Sequence, residues 1–183
     1  FIKYINILLD ITVRAQKYLA QDEIMLFTGA RQAGNTTILK QIKEGLEKQG
    51  EKCHYLNLED QDYLTLLNET PKNLFKILTM DTSRRQVVFL DEIQYLANPT
   101  DFLKYLYDEH KGNIKLITSG SSAFYVDEKF KDSLAGRKVI LNVPTLSFRE
   151  FLRFKKEDSL VDLLPSQFSE KSFHPAVGLQ DRD

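Results

Sequence analysis

The chain has one cysteine, Cys53, in 183 residues, so it cannot form an internal disulfide. No cluster of metal-ligating residues surrounds that thiol in sequence, which suits a reducing compartment with Cys53 read as a buried strand residue. Long apolar runs are lacking too. None approaches the roughly 20 residues that span a bilayer, and the N-terminus lacks the basic, apolar and small-residue succession of a secretory leader. A cytoplasmic location with no membrane partner is therefore expected. Neither sign of charge is in excess: 25 Lys and Arg stand against 26 Asp and Glu, a net charge of −1 at pH 7. No global basic field draws the chain onto DNA, so charge gives nucleic acid no support as a partner. Internal repeats and low-complexity tracts are absent. The sequence opens at Phe1 rather than methionine, which reads as a fragment or a processed chain.

What is present is the make-up of a globular domain, 42% hydrophobic and 28% charged, long enough to bury a core of its own. Apolar strands alternate with amphipathic helices. Residues 1–19 have a loosely helical spacing. Ile24 to Phe27 reads as a buried strand ending at Thr28-Gly29. From Thr36, the apolar series Ile38, Leu39, Ile42 and Leu46 predicts a helix closed by Gly50. A second strand is expected at 52–58, and short helices at 60–68 and 73–80 around Pro71. The run "QVVFL", 86–90, predicts a third strand running into Asp91-Glu92. Asn98-Pro99-Thr100 then predicts a turn and cap before a helix with Phe102, Leu103 and Leu106 on one face. Fourth and fifth strands are expected at 114–118 and 138–143. Ser147 and Glu150 have capping-box spacing. Periodicity fades from about 155, where a linker or tail is expected. Strands separated by helices imply parallel pairing through right-handed crossovers, hence an α/β layered sheet.

In such sheets ligands gather at the carboxyl ends of the strands. The first strand ends in "GARQAGNTT", Gly29 to Thr37. It has both glycines and the hydroxyl of the phosphate-binding pattern G-x-x-x-x-G-K-[ST], with Asn35 in the lysine position. Gly29 and Gly34 permit a tight arc of inward-facing amides, and the next helix adds its positive end, forming an anion nest. Thr36 would place its hydroxyl on Mg²⁺. At the third strand's end, Asp91 and Glu92 suit metal-dependent triphosphate hydrolysis, one acid near the metal and one polarising water; the plain alternative is two solvated acids. At the fourth strand's end, Ser119 is a candidate to sense the γ-phosphate, while Ser121 or Ser122 equally suits a helix cap. Arg137, after Leu134-Ala135-Gly136, is a candidate phosphate contact within the chain or across a subunit boundary. His54, His110 and His174 share no metal-ligand spacing. Lys40, Lys43 and Lys48 read as the solvated face of the first long helix.

Taken together, "TGARQAGNTTILKQ", "VVFLDEIQYL", "LITSGSSAF", "LAGR" and "LSFREFL" resemble AAA+-type ATPases of bacteria and archaea, in which an ATPase domain precedes a nuclease-like domain. The resemblance covers roughly residues 5–154. It implies a P-loop NTPase core, an α-β-α layered fold on a mainly parallel five-stranded sheet. The Asp91 strand is then expected beside the glycine-loop strand in the sheet. It further implies ATP and Mg²⁺ as ligands. Gly29, Ala30, Arg31, Gln32, Ala33, Gly34, Asn35, Thr36 and Thr37 match the Walker A loop, and Asp91 with Thr36 the metal site. Glu92 matches the catalytic glutamate, Ser119 the first sensor region and Arg137 the arginine of "LAGR". The division implied is an ATPase domain over 1–154, then a linker or tail over 155–183 leading to a C-terminal region not included. Self-association is a further expectation, with Arg137 completing a neighbour's site.

Asn35 departs from that pattern. A charge-assisted hydrogen bond lost to the phosphates weakens binding by roughly 1.5–3 kcal/mol, and a lost transition-state donor slows reaction a further ~10²–10³-fold. Binding is thus expected to outlast hydrolysis. Three readings stand open at this point: a slow Mg²⁺-dependent ATPase, a nucleotide-binding switch or interaction module without turnover, and a scaffold whose nest stays empty. ATP over GTP rests on the resemblance, since no N-K-x-D motif lies between residues 91 and 143.

Overall fold

The computed structural model describes residues 10–30, 33–79, 84–121 and 134–164. The expectations for 1–9, for Arg31, Gln32, Ser122 and His174, and for the tail from 165 fall outside these. Leu8–Val143 forms one compact unit, and 144–164 belongs to a second.

The first unit holds a five-stranded sheet of β1 (Ile24–Gly29), β2 (Cys53–Asn57), β3 (Gln86–Asp91), β4 (Ile114–Ser121) and β5 (Lys138–Val143). The order is β2-β3-β4-β1-β5, and every pairing is parallel. The inner strands β1 and β3 are buried along their whole length, so they read as continuous apolar runs, whereas the edge strands β2 and β5 are buried in part. One expectation is corrected here. β3 is not beside β1, because β4 pairs with both and separates them. The glycine loop and Asp91 therefore come together across an intervening strand, whose own end is inserted between them.

Helices cover both faces. The period of two along each strand divides the core. Met25, Phe27, Val87 and Phe89 pack with Ile38, Leu39 and Ile42 of α2 (Asn35–Lys48), and with Ile11 and Ala15 of α1 (Asp10–Ala15). Ile24, Leu26, Val88 and Leu90 point the other way, into α3 (Gln61–Glu69), α4 (Asn73–Leu78) and α5 (Pro99–His110). The buried residues of α2 recur at helical spacing, and its end is sealed as expected. Gly50, at φ +87°, donates to the Glu47 carbonyl and Glu51 to the Leu46 carbonyl, both at 3.0 Å, the pattern of a left-handed glycine stop. At α5, Asn98 makes no side-chain cap; Pro99 in the first turn marks the start instead.

In the second unit, α6 (Phe148–Phe154) has the expected capping box. Ser147 Oγ accepts from the Glu150 amide at 3.2 Å, and Glu150 Oε2 accepts from the Ser147 amide at 2.7 Å. A short α7 (Asp158–Val161) follows. No helix among the described residues is long and apolar enough to cross a membrane.

Candidate functional site

Parallel strands all end at one edge, and that edge carries the polar residues singled out in the sequence. β1 gives way to the glycine loop at Gly29, β3 ends at Asp91 and β4 at Ser121. The period of two puts Tyr55 and Asp91 on the sheet face that carries Phe89, which α2 covers. Asp91 is 1% exposed. Ser119 Oγ donates to its Oδ1, and Tyr55 Oη donates to its Oδ2 at 2.5 Å. Both carboxylate oxygens thus receive a hydroxyl, which keeps a buried acid in one orientation.

Glu92 leaves the sheet abruptly. Its φ of +61° is in the left-handed region, uncommon for a non-glycine residue. The turn aims its amide back at Ser119 Oγ, at 3.0 Å, and puts the residue in the wall of a cleft of about 930 Å³. Gln94 Nε2 donates to Glu92 Oε2, and the Ser121 amide donates to Gln94 Oε1 at 3.3 Å. Gln94 therefore connects Glu92 to the end of β4. Ala30, Gly34, Asn35 and Thr36 form the facing wall, and Glu59 and Tyr95 complete the lining.

The two loop glycines do different jobs. Gly34, immediately before α2, has φ +98° and open space around it. Gly29 is needed for closeness: a Cβ there would lie 2.9 Å from the Val143 carbonyl oxygen and 3.0 Å from Asn35 Oδ1. Asn35 itself is the first residue of α2 and 9% exposed. Its Nδ2 donates to the Gly120 carbonyl at 3.3 Å, so the amide nitrogen is engaged across the cleft floor, on β4. Its Oδ1 is buried without a hydrogen-bond partner.

The structure thus brings Gly29, Ala30, Gly34, Asn35, Thr36, Asp91, Glu92 and Ser119 to one edge. Ser119 is at Asp91 rather than in the cleft lining; Ala33 packs against the core, and Thr37 is half-buried. Ser121 is the last residue of β4 and caps no helix. Arg137 is elsewhere. It precedes β5, its carbonyl accepts from the Ile24 amide at the start of β1 at 2.8 Å, and its guanidinium pairs with Asp108 at 2.8 Å. That is the amino end of the sheet, away from the cleft. Tyr55, Gln94, Glu59 and Tyr95 had not been singled out from sequence. Their signal was positional only: Tyr55 lies two residues before the end of β2, and Gln94 two past Glu92.

The remaining candidates have structural explanations. Cys53 is half-buried rather than fully so; burial first, then Glu47, raises its pKa to about 11, so it stays a thiol. His54 bonds Gln86 at 2.6 Å, and the His110 ring lies 4.3 Å from that of Phe75. No group of three or more His, Cys, Asp or Glu among the described residues is arranged to hold a metal.

Comparison with known proteins agrees with this architecture. A family model described as an AAA domain matches residues 21–152. An uncharacterized protein of Haemophilus influenzae is 30% identical over 167 residues, 87% of this chain and 41% of that one. The chain therefore spans less than half the length of that relative. Among solved structures, the ORC1 protein of Aeropyrum pernix in complex with DNA matches with a TM-score of 0.58 at 18% identity, over 86% of this chain and 52% of that one. AMPPCP-bound DnaA from Aquifex aeolicus matches with a TM-score of 0.54 at 14% identity, over 84% of this chain and 53% of that one. At these identities the likeness is one of fold. With its glycine loop between β1 and α2, its parallel sheet and the family match over most of its length, the chain belongs to the AAA domain family and has the fold of a P-loop NTPase.

Proposed function

We propose that this chain is an ATP-binding domain whose hydrolysis is impaired at Asn35. The observation that carries the reading is the cleft itself. One wall is the glycine loop and the head of α2, the other is Glu92, and Asp91 is buried between strands at its base. The backbone arc and helix N-terminus suit a polyphosphate. The residues also fit Mg²⁺, since the donors at hand are hard oxygens, the Thr36 hydroxyl and the Asp91 carboxylate. Bound there, the ion would neutralise charge on the β- and γ-phosphate oxygens. The buried Asn35 Oδ1, an acceptor without a donor, is the kind of group that a hydrated ion's waters satisfy. Glu92 is the group proposed to polarise an attacking water, with Gln94 holding its carboxylate. Ser119 holds Asp91. Arg137 would contribute only to a neighbouring copy's cleft, and self-association and a further C-terminal domain belong to the same proposal. AMPPCP in the DnaA structure makes an adenine nucleotide the first ligand to try.

One observation favours a second reading, a switch that binds without turning over: Asn35 directs its amide nitrogen to Gly120, leaving position 35 without a charge for the transferring phosphate. Calorimetric titration of Mg²⁺-ATP into the parental chain and Asn35→Lys, with phosphate release followed alongside, tests both. Binding by both is expected, tighter in Asn35→Lys by roughly 10- to 150-fold, with turnover raised a further ~10²–10³-fold. Binding by both with no turnover in either supports the switch; binding by neither removes the nucleotide reading.

A further inference from the structure

The cleft as lined by described residues is short of positive charge. Its charged lining residues are Glu59 and Glu92, with Asp91 beneath, and Asn35 adds none. A nucleoside triphosphate needs a cation there. We infer that Lys40 is that cation, approaching the phosphates from the side of α2 and supplying the charge that the loop lacks. The inference rests on the nucleotide-binding reading above.

Lys40 lies four residues beyond Thr36, on the same stripe of α2 and ~6 Å lower along its axis. Helical side chains lean toward the N-terminus, which on α2 is the direction of the cleft. A lysine stem of four methylenes spans that rise. The structure already turns Lys40 inward to the sheet. It is half-buried, and its Nζ lies over the Tyr55 ring, 6.0 Å from the centroid. The Tyr55 hydroxyl is the group that donates to Asp91 Oδ2 at 2.5 Å. The ammonium is thus stationed on the Asp91 side of the site, one aromatic ring from the buried carboxylate. Lys43, one turn further on, differs in being paired with Glu47 at 2.7 Å. The expectation of a uniformly solvated lysine face therefore does not hold for Lys40. Its position on the metal side implies that it matters most when Mg²⁺ is not there to neutralise the phosphates.

The test is calorimetric titration of ATP, in Mg²⁺ and in EDTA, into the parental chain, Lys40→Met, Lys40→Gln, Lys40→Arg and Lys43→Met. Methionine and glutamine are about as good helix formers as lysine, and a thermal melt of each variant establishes that it is folded. The expected result is affinity about tenfold weaker in EDTA for both neutral variants, the size of one lost charge-assisted contact. The loss should be smaller in Mg²⁺. Lys40→Arg should stay near parental and Lys43→Met unchanged. Equal affinities for parental, Lys40→Met and Lys40→Gln in both solutions overturn the role of Lys40 and leave the nucleotide reading intact. No binding by the parental chain overturns both.

Discussion

The two ends of the sheet treat charge in opposite ways. At the amino end, cations serve the chain's own backbone. Lys115 is 1% exposed, and its Nζ donates to the carbonyls of Tyr18, Gln21 and Glu23 at 2.8, 2.8 and 2.6 Å. Arg85 reaches the Gln21 carbonyl at 2.8 Å, and Arg137 meets Asp108. These groups pin the segment leading into β1. At the carboxyl end the charged groups are acids, Glu92 is held at a left-handed φ, and Asn35 Oδ1 has no partner. A buried cation with carbonyls around it is structure. An edge with strained backbone and an unmet acceptor, facing a cleft, has been kept for something else.

The comparison breaks most visibly at Gly29. In Gly29→Ala the new methyl meets the Val143 carbonyl and Asn35 Oδ1 at about 3 Å, so β5 or the head of α2 must shift. Stability should fall by about 1–3 kcal/mol, as for other overpacked sites, and ATP affinity by more than tenfold because the loop moves with it. Urea unfolding and nucleotide titration on the same preparation check this. Parental affinity in Gly29→Ala would mean that the loop is built without regard to that close approach.

Lys115→Met should separate the two ends. Methionine fills nearly the same volume but leaves three carbonyls short of a donor, so stability should drop by roughly 2 kcal/mol. Nucleotide affinity should be unchanged, because Lys115 begins the strand that ends at the cleft and touches nothing in it. Loss of affinity in a folded Lys115→Met would show that the ends are coupled through β4.

Much of this was legible in the sequence, for reasons that can be named. Strands buried on both faces must be apolar throughout, so β1 and β3 announced themselves. The run Asp91-Glu92 was placed correctly because a parallel strand's last residues always reach the ligand edge. Strand order was not legible. Nothing local states that β4 slips between β1 and β3, since the pairing is decided by crossovers and by side chains far apart in the chain. Tyr55 was missed for the same reason; its distance from Asp91 is set by β2 pairing with β3. Arg137 is the more instructive case. A residue just before a parallel strand must sit at the amino end, so its position beside Asp108, far from the cleft, followed from the topology already inferred. The resemblance outweighed that geometric argument.

The smallest effect, and the one that sharpens the contrast furthest, is a pH dependence confined to the amino end. Burial, and then the charge of Arg85, lower the Lys115 pKa from 10.5 to about 8, while Glu23 and Asp22 pull the other way. In the unfolded chain the same amine keeps its ordinary value. Between about pH 8 and 10.5 the unfolded chain therefore holds a proton that the folded chain has released. Stability contributed by this group should rise with pH across that window, because the unfolded state binds more protons. Urea unfolding of the parental chain and Lys115→Met at pH 7.5, 8.5 and 9.5 isolates the effect. Other groups that titrate in this range contribute to both proteins and cancel in the difference. The parental chain should gain on the variant as pH increases. A flat difference would mean that the three carbonyls compensate the ammonium's burial in full, leaving Lys115 a fixed charge.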